Sequence, residues 1–277
     1  MERVPAADRT RVSLVLGSGG ARGLAHIGVI EVLEEQGYEI SYIAGCSIGA
    51  MVGGIYAAGS LEAFKDWVTD LEAKDALSLL DFSFGWQGLF KGDRIIGVLR
   101  EMVGEKNIED LDLGFTAVAT DLREQREIWF NSGPLFDAIR ASIAIPSVLT
   151  PWEYQGRTLV DGGLLNPVPI APALNQQADR IIAVNLNGRR SRAAPDGSVG
   201  ASGLPGFLDV MITSFETMQA TITRLKLAAY TPDAVIEIPR DTCRFYEFNK
   251  AEQLIETGRQ QAADILERWQ NPQEGGP

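Results

Sequence analysis

Hydrophobic residues in the first sixty positions form two kinds of segment. Short apolar runs predict buried strands at residues 12–16 and 40–44. Each run is followed by apolar residues at helical spacing, which predict one helix over 24–36, ended by Gly37, and another over 48–58. Because strands that alternate with helices pair in parallel, this order predicts a mostly parallel central sheet with helices on both faces, a three-layer α/β fold.

Later patterns extend the same organisation. Further strands are predicted at residues 115–119, 127–130, 158–160, 180–185 and 234–238, and further helices around 94–102, 134–141, 207–229 and 246–269. Residues 188–206 are rich in Gly, Ser, Arg and Pro and are predicted to form a mobile surface loop, whereas 271–277 are predicted to be a flexible tail. We expect a single domain over residues 1–270.

Composition narrows the classes of partner and compartment. Among 277 residues, 37 acidic against 25 basic side chains give a net charge of −12, which repels nucleic acid and argues against it as a partner. Two cysteines, Cys46 and Cys243, cannot form a disulfide framework and fit a reducing compartment. With no apolar segment as long as a signal peptide or membrane span requires, we expect a cytoplasmic protein whose membrane contact, if any, is peripheral. The oligomeric state stays open.

The first candidate for chemistry is the G-x-S-x-G pattern of residues 45–49, centred on Ser47. It lies between a predicted strand and a predicted helix, the position of a nucleophile elbow, in which small residues allow a sharp turn that presents the serine hydroxyl. The positive end of the helix also stabilises a developing alkoxide. This context predicts a catalytic serine, and the alternative is a close-packed glycine turn.

A second glycine cluster, Gly17-Ser18-Gly19-Gly20-Ala21-Arg22-Gly23, follows the first predicted strand. Its backbone amides can converge on a phosphate or an oxyanion. A dinucleotide-binding fingerprint would also require an acidic residue about 20 positions further on, at the end of the next strand. Residues 40–45 contain none, and Ser47 follows instead. The loop and Ser47 are therefore predicted at the carboxyl ends of neighbouring strands, where an oxyanion hole would be needed.

The histidine content limits the choice of general base. A Ser-His-Asp triad of the α/β-hydrolase order places its histidine after the nucleophile, but the only histidine is His26. His26 lies in the first predicted helix, where we expect a structural role. A carboxylate must then serve as base, and Asp161 is the candidate because it ends an apolar run and precedes two glycines. An Asp-Gly-Gly sequence taken alone is usually only a turn.

Three motifs in this order, Ser18–Gly23, Gly45–Gly49 and Asp161–Gly163, together resemble those of the patatin-like phospholipases. The segments around Arg140-Ala141-Ser142 and Asn166-Pro167-Val168-Pro169 look like those that frame the family's active site, and the similarity runs from about Val12 to Gly258. The run from Gly23 to Val29 looks most similar to single-domain bacterial proteins related to the neuropathy target esterase lysophospholipases.

The resemblance implies a role for each matching residue. Ser47 would be the acylated nucleophile, Asp161 its partner in a Ser-Asp dyad, and the amides of Gly19 and Gly20 the oxyanion hole. Arg22 would orient the loop or contact a headgroup phosphate. The implied reaction hydrolyses acyl esters of phospholipids or lysophospholipids, with a lipid or acyl ester as partner and neither cofactor nor metal. A carboxylate base requires desolvation to raise its pKa, so Asp161 is expected to be partly buried.

The sequence leaves alternative interpretations open for several residues and for the function. Ser18 stands where the family's pattern has glycine, while Ser142 and Asp121 are interpreted as structural. Residues 79–90, with four aromatic side chains, would line an acyl pocket, touch a bilayer or form ordinary core. The alternative functions are hydrolysis of soluble acyl esters or thioesters and, in a different class, a phosphate- or nucleotide-binding regulatory protein.

Overall fold

The computed structural model describes residues 9–71, 90–190 and 206–270. Its strands are β1 (Arg11–Leu16), β2 (Glu39–Cys46), β3 (Gly114–Asp121), β4 (Arg126–Phe130), β5 (Trp152–Tyr154), β6 (Arg157–Asp161), β7 (Arg180–Gly188) and β8 (Ala234–Pro239). They form one sheet in the order β5-β6-β3-β2-β1-β7-β8, with β4 also paired to β3. Strands β3, β2, β1, β7 and β8 are parallel, and β4, β5 and β6 pair antiparallel. The predicted mostly parallel α/β sheet is confirmed.

Helices cover this sheet unequally on its two faces. The described residues contain α1 (Ala25–Glu35), α2 (Ile48–Ala57), α3 (Leu61–Thr69), α4 (Asp93–Val103), α5 (Leu135–Ser142), α6 (Phe207–Ala229) and α7 (Ala251–Gln270). Because side chains alternate along a strand, Leu14 and Leu16 of β1 enter a large core shared with every helix except α6. Val15 enters a smaller core on the opposite face, where Leu227 of α6 packs.

Strand β3 brings two distant segments end to end. Strand β4 occupies one edge of β3 over residues 117–121, so both β2 and β6 pair along the other edge. Parallel β2 ends with Cys46 opposite Val118, and antiparallel β6 ends with Asp161 opposite Ala119. Since β2 and β6 run towards each other along this shared edge, their last residues meet. The residues that follow β2 therefore lie against the carboxyl end of β6.

The structure corrects several predicted boundaries. The predicted helix over 246–269 begins at Ala251, because residues 248–250 form a 3-10 turn and the carbonyl of Phe245 accepts the amide N–H of Ala21 instead of starting a helix. Gly188 is not a loop residue, since it pairs with Pro239 as the last residue of β7. Strand β5 and helix α3 lacked a clear sequence signal and were not predicted. The first predicted helix starts as a 3-10 turn over Gly20–Leu24.

Three predictions concern segments outside the described residues. These are most of the aromatic segment 79–90, most of the 188–206 loop, and the tail 271–277. None of the described helices is both long and apolar enough to cross a membrane.

Candidate active site

Ser47 occupies a strained turn between β2 and α2. Its backbone has φ 57° and ψ −125°, an unusual conformation for a residue with a side chain, and such strain is typical of a nucleophile elbow. The flanking glycines are required by close approach. A Cβ on Gly45 would lie 2.5 Å from the Gly49 oxygen, and a Cβ on Gly49 would lie 2.1 Å from the Leu16 oxygen. The predicted elbow thus has the geometry that its sequence pattern indicates.

The Ser47 backbone is held by a hydroxyl from α5. The amide of Ser47 donates to Oγ of Ser142 at 2.9 Å, and that hydroxyl donates to the carbonyl of Val118 at 2.6 Å. Both serines are buried. Ser142, which was interpreted as structural, therefore fixes the candidate nucleophile's turn to the end of β3. Its place in a family-like segment was the only sequence signal for this contact.

Asp161 contacts Ser47 directly. Oγ of Ser47 donates to Oδ2 of Asp161 at 2.5 Å, and the amide of Gly163 donates to Oδ1 at 2.7 Å. The carboxyl is completely buried. Burial raises the pKa of Asp161 to about 7, while the two hydrogen bonds oppose this rise. The predicted desolvation of Asp161 is confirmed, and near neutral pH the group can accept a proton from the serine.

Glycines after Asp161 allow the close packing around it. A Cβ on Gly162 would lie 2.1 Å from the Val118 oxygen. A Cβ on Gly163 would lie 2.1 Å from Nε2 of Gln219 and 2.9 Å from Oδ1 of Asp161. Here Asp-Gly-Gly is more than a surface turn, because both glycines provide space beside the buried carboxyl.

The glycine-rich loop lies against the elbow. A Cβ on Gly23 would lie 2.2 Å from the Ile48 side chain, so the loop packs on the first residue of α2. The amides of Gly17, Ser18 and Ala21 donate to carbonyl oxygens. Within the described part of the chain, the amides of Gly19 and Gly20 donate to no protein atom. These are the two donors that the family resemblance implies for an oxyanion hole.

Ser18 is accommodated without strain at the position where the family's pattern has glycine. The backbone φ of Ser18 is not positive, so a residue with a side chain fits there. Its hydroxyl accepts a hydrogen bond of 2.9 Å from Nε2 of Gln219, a fully buried residue of α6. Sequence reasoning missed Gln219, because it lies 201 residues from Ser18 in a helix of mixed composition.

Arg22 and His26 make structural contacts. The buried Arg22 guanidinium donates to the Arg240 carbonyl at 2.8 Å and forms an ion pair of 2.5 Å with Glu216 of α6. Of its two predicted roles, orientation of the loop matches these contacts. Burial lowers the pKa of His26 to about 4, so the neutral ring donates from Nε2 to the Gly17 carbonyl at 2.9 Å. His26 forms no hydrogen bond with Ser47 or Asp161.

Asp121 and Cys46 make further polar contacts near the candidate site. Asp121 accepts hydrogen bonds from the backbone amides of Glu124 and Arg123 and forms an ion pair with Arg157. These contacts hold the pKa of the Asp121 carboxyl below its usual value. It lies at the end of β3 and makes a turn, in agreement with a structural role. The thiol of Cys46 lies 4.0 Å from Oδ1 of Asp161, and burial holds its pKa well above the usual value.

Comparison with known proteins gives a consistent assignment. Residues 14–174 match the family model described as patatin-like phospholipase. An uncharacterised NTE family protein of Mycobacterium tuberculosis is 38% identical over 97% of this chain and 94% of its own length. Lysophospholipase NTE1 of Debaryomyces hansenii is 28% identical over 94% of this chain, which spans 18% of that larger protein.

Among solved structures, VipD from Legionella pneumophila aligns with 94% of this chain and 67% of its own, with a TM-score of 0.49 and 14% identity. The predicted resemblance to the neuropathy target esterase branch is confirmed by the relatives of the NTE family. The family model covers more than half of the chain, and the mycobacterial relative covers nearly all of it. The chain therefore belongs to the patatin-like phospholipase family and is a lipid ester hydrolase.

Proposed function

We propose that this protein hydrolyses acyl ester bonds of phospholipids or lysophospholipids with Ser47 as nucleophile and Asp161 as its only catalytic partner. The observation that carries the proposal is the buried 2.5 Å hydrogen bond from Ser47 Oγ to a carboxylate whose pKa is raised to about 7. A base with a pKa near the working pH combines a useful deprotonated fraction with useful basicity. The name of the related lysophospholipase supports a lipid substrate.

In the acylation step, Asp161 accepts the proton of Ser47 while Oγ attacks the acyl carbonyl carbon. The carbonyl oxygen becomes an oxyanion, and the unpaired amides of Gly19 and Gly20 donate to it. The ester C–O bond then breaks, and protonated Asp161 returns its proton to the leaving alcohol. The fatty acyl group is now bound to Ser47 as an ester.

Deacylation repeats these steps with water. Asp161 takes a proton from water, whose oxygen attacks the acyl carbonyl, and the same two amides stabilise the second oxyanion. Collapse of this intermediate releases the fatty acid and returns the proton to Oγ of Ser47. Ser142 assists throughout by holding the Ser47 amide, so that the strained turn keeps its geometry.

Labelling with a fluorophosphonate tests the nucleophile. We expect stoichiometric modification at Ser47 in the wild-type protein, none in Ser47→Ala, and strongly slowed modification in Asp161→Asn. Ser41→Ala serves as a matched control, because it removes a serine hydroxyl from the same strand, β2, and leaves the contacts of Ser47 and Asp161 in place. Absence of labelling in folded wild-type protein would refute the serine mechanism and favour a regulatory protein that binds phosphate.

Substrate comparison tests the lipid assignment. Rates on lysophosphatidylcholine, phosphatidylcholine and p-nitrophenyl butyrate should be measured above and below the concentration at which each lipid aggregates. We expect higher kcat/KM on one of the lipids than on the soluble ester. The reverse order, with Ser47 labelled normally, would assign the enzyme to soluble acyl esters or thioesters.

A further inference from the structure

Helix α6 carries a buried stripe and, beside it, a row of exposed apolar side chains. Its inner face presents a narrow buried stripe, Phe215, Gln219 and Thr223, spaced one turn apart. Its outer face exposes large apolar side chains: Phe207, Val210, Met211, Met218 and Leu225. Met211, Met218 and Leu225 are spaced seven residues apart and therefore project from the same side of the helix, along the edge of the outer face that borders the buried stripe. The most exposed of these three is Leu225, at 67%. The centre of the outer face is polar and carries Thr213, Thr217 and Thr221.

Helix α6 is held against the segments that surround the active site mainly by polar contacts. Glu216 pairs with Arg22 of the glycine-rich loop, and one turn later Gln219 donates to Ser18 of the same loop. Two turns further along, Lys226 forms a 2.9 Å ion pair with Glu127, which also accepts the side-chain amide of Asn166. The helix thus joins the proposed oxyanion loop to the segment that follows Asp161, and its exposed apolar residues lie beside these attachments.

The outer face of α6 is nearly neutral in a strongly acidic protein. The whole chain carries a net charge of −12. On α6, Glu216 and Lys226 are used in the ion pairs described above, and the exposed charged residues are Asp209 and Arg224, one of each sign. An anionic surface would be repelled by the protein as a whole, but this face can approach an uncharged one without desolvating an acidic cluster.

We propose that the apolar edge of α6, formed by Met211, Met218 and Leu225, docks on zwitterionic lipid surfaces and brings the active site to the substrate. The inference rests on the proposed function, which requires an ester taken from a lipid aggregate. Ser47 and Asp161 are almost completely buried, so the substrate acyl chain must leave the aggregate close to the elements that surround them. Helix α6 contacts those elements and carries apolar side chains of the kind that insert at a lipid interface.

Flotation with phosphatidylcholine vesicles tests this surface. A Ser47→Ala background keeps the lipid intact, and Met218→Gln with Leu225→Gln removes apolar side chains while preserving helix propensity. We expect the double variant to bind about tenfold more weakly or worse, which corresponds to about 1.4 kcal/mol. Leu122→Gln with Leu174→Gln is the matched control, because both leucines are 44% exposed and lie outside α6. Single Met211→Gln serves as a milder variant if the double one unfolds.

The outcomes separate docking from catalysis. Loss of flotation confined to the α6 variants and weaker binding when anionic phosphatidylglycerol is added would support the proposal. So would a lower ratio of vesicle to p-nitrophenyl butyrate hydrolysis when the α6 substitutions are made with Ser47 intact. Equal losses in the control pair, or no flotation although the protein with Ser47 intact is labelled normally, would overturn docking and leave the proposed function intact. Flotation, together with no labelling of Ser47 in the folded wild-type protein, would overturn the function instead. A dimer in light scattering that becomes monomeric in Met218→Gln with Leu225→Gln would show that a second copy covers this face.

Discussion

Replacement of Asp161 by Asn should abolish hydrolysis and remove a loss of stability that the wild-type protein undergoes as the pH rises. Burial raises the pKa of Asp161 from 3.8 to about 7 in the folded protein. Between these values the folded protein holds a proton that the unfolded chain has released, so stability falls as pH rises through this window. Integration from about pH 5 to about pH 8 gives a loss of about 2–3 kcal/mol for the wild type.

The Asn variant cannot ionise and should lack this loss. Its stability relative to wild type should therefore increase by about 2–3 kcal/mol across the same pH range, whatever constant offset the altered hydrogen bonds to Ser47 and Gly163 introduce. Urea unfolding at several pH values, followed by tryptophan fluorescence, measures this difference, and shared titrations cancel between the two proteins. A difference that stays constant from about pH 5 to about pH 8 would show that Asp161 is not a desolvated base with a raised pKa.

Three other substitutions test the surroundings of the proposed dyad. Ser142→Ala leaves the Ser47 amide and the Val118 carbonyl unpaired, so we expect the protein to lose about 1–3 kcal/mol of stability. We also expect a lower kcat with little change in KM, and an unchanged kcat would contradict the positioning role of Ser142. Gln219→Glu places a second carboxyl beside Asp161 and should move the acidic limb of the pH profile of kcat/KM to higher pH. Gln219→Met should leave that limb in place, and equal pH profiles for the two variants would refute the electrostatic argument. Gly49→Ala should destabilise the fold by about 1–3 kcal/mol or more, because its Cβ would lie 2.1 Å from the Leu16 oxygen. Gly97→Ala, at an open helical position of α4, is the control, and urea unfolding should show it to be more stable than the wild type by about 0.5–1 kcal/mol.

Local sequence patterns predicted most of the sheet and the chemistry at its edge. Every predicted strand is present, because period-two and continuous apolar runs report burial directly. The error at the start of α7 arose where a tertiary hydrogen bond from Ala21 to Phe245 holds the chain out of a helix that its apolar spacing favours. Strand β5 is three residues long, too short for a periodic signal, and it exists because β6 supplies its partner.

The sequence by itself determined the family motifs, the fold class and the absence of an α/β-hydrolase triad, because these depend on residue identity, spacing and count. Only the tertiary structure decided that Ser47 contacts Asp161, since that contact follows from β2 and β6 pairing end to end along one edge of β3. It also decided the raised pKa of Asp161, the hold of Ser142 on the elbow and the place of Gln219 beside the loop. Each of these results from packing between segments far apart in the chain, which local spacing does not encode.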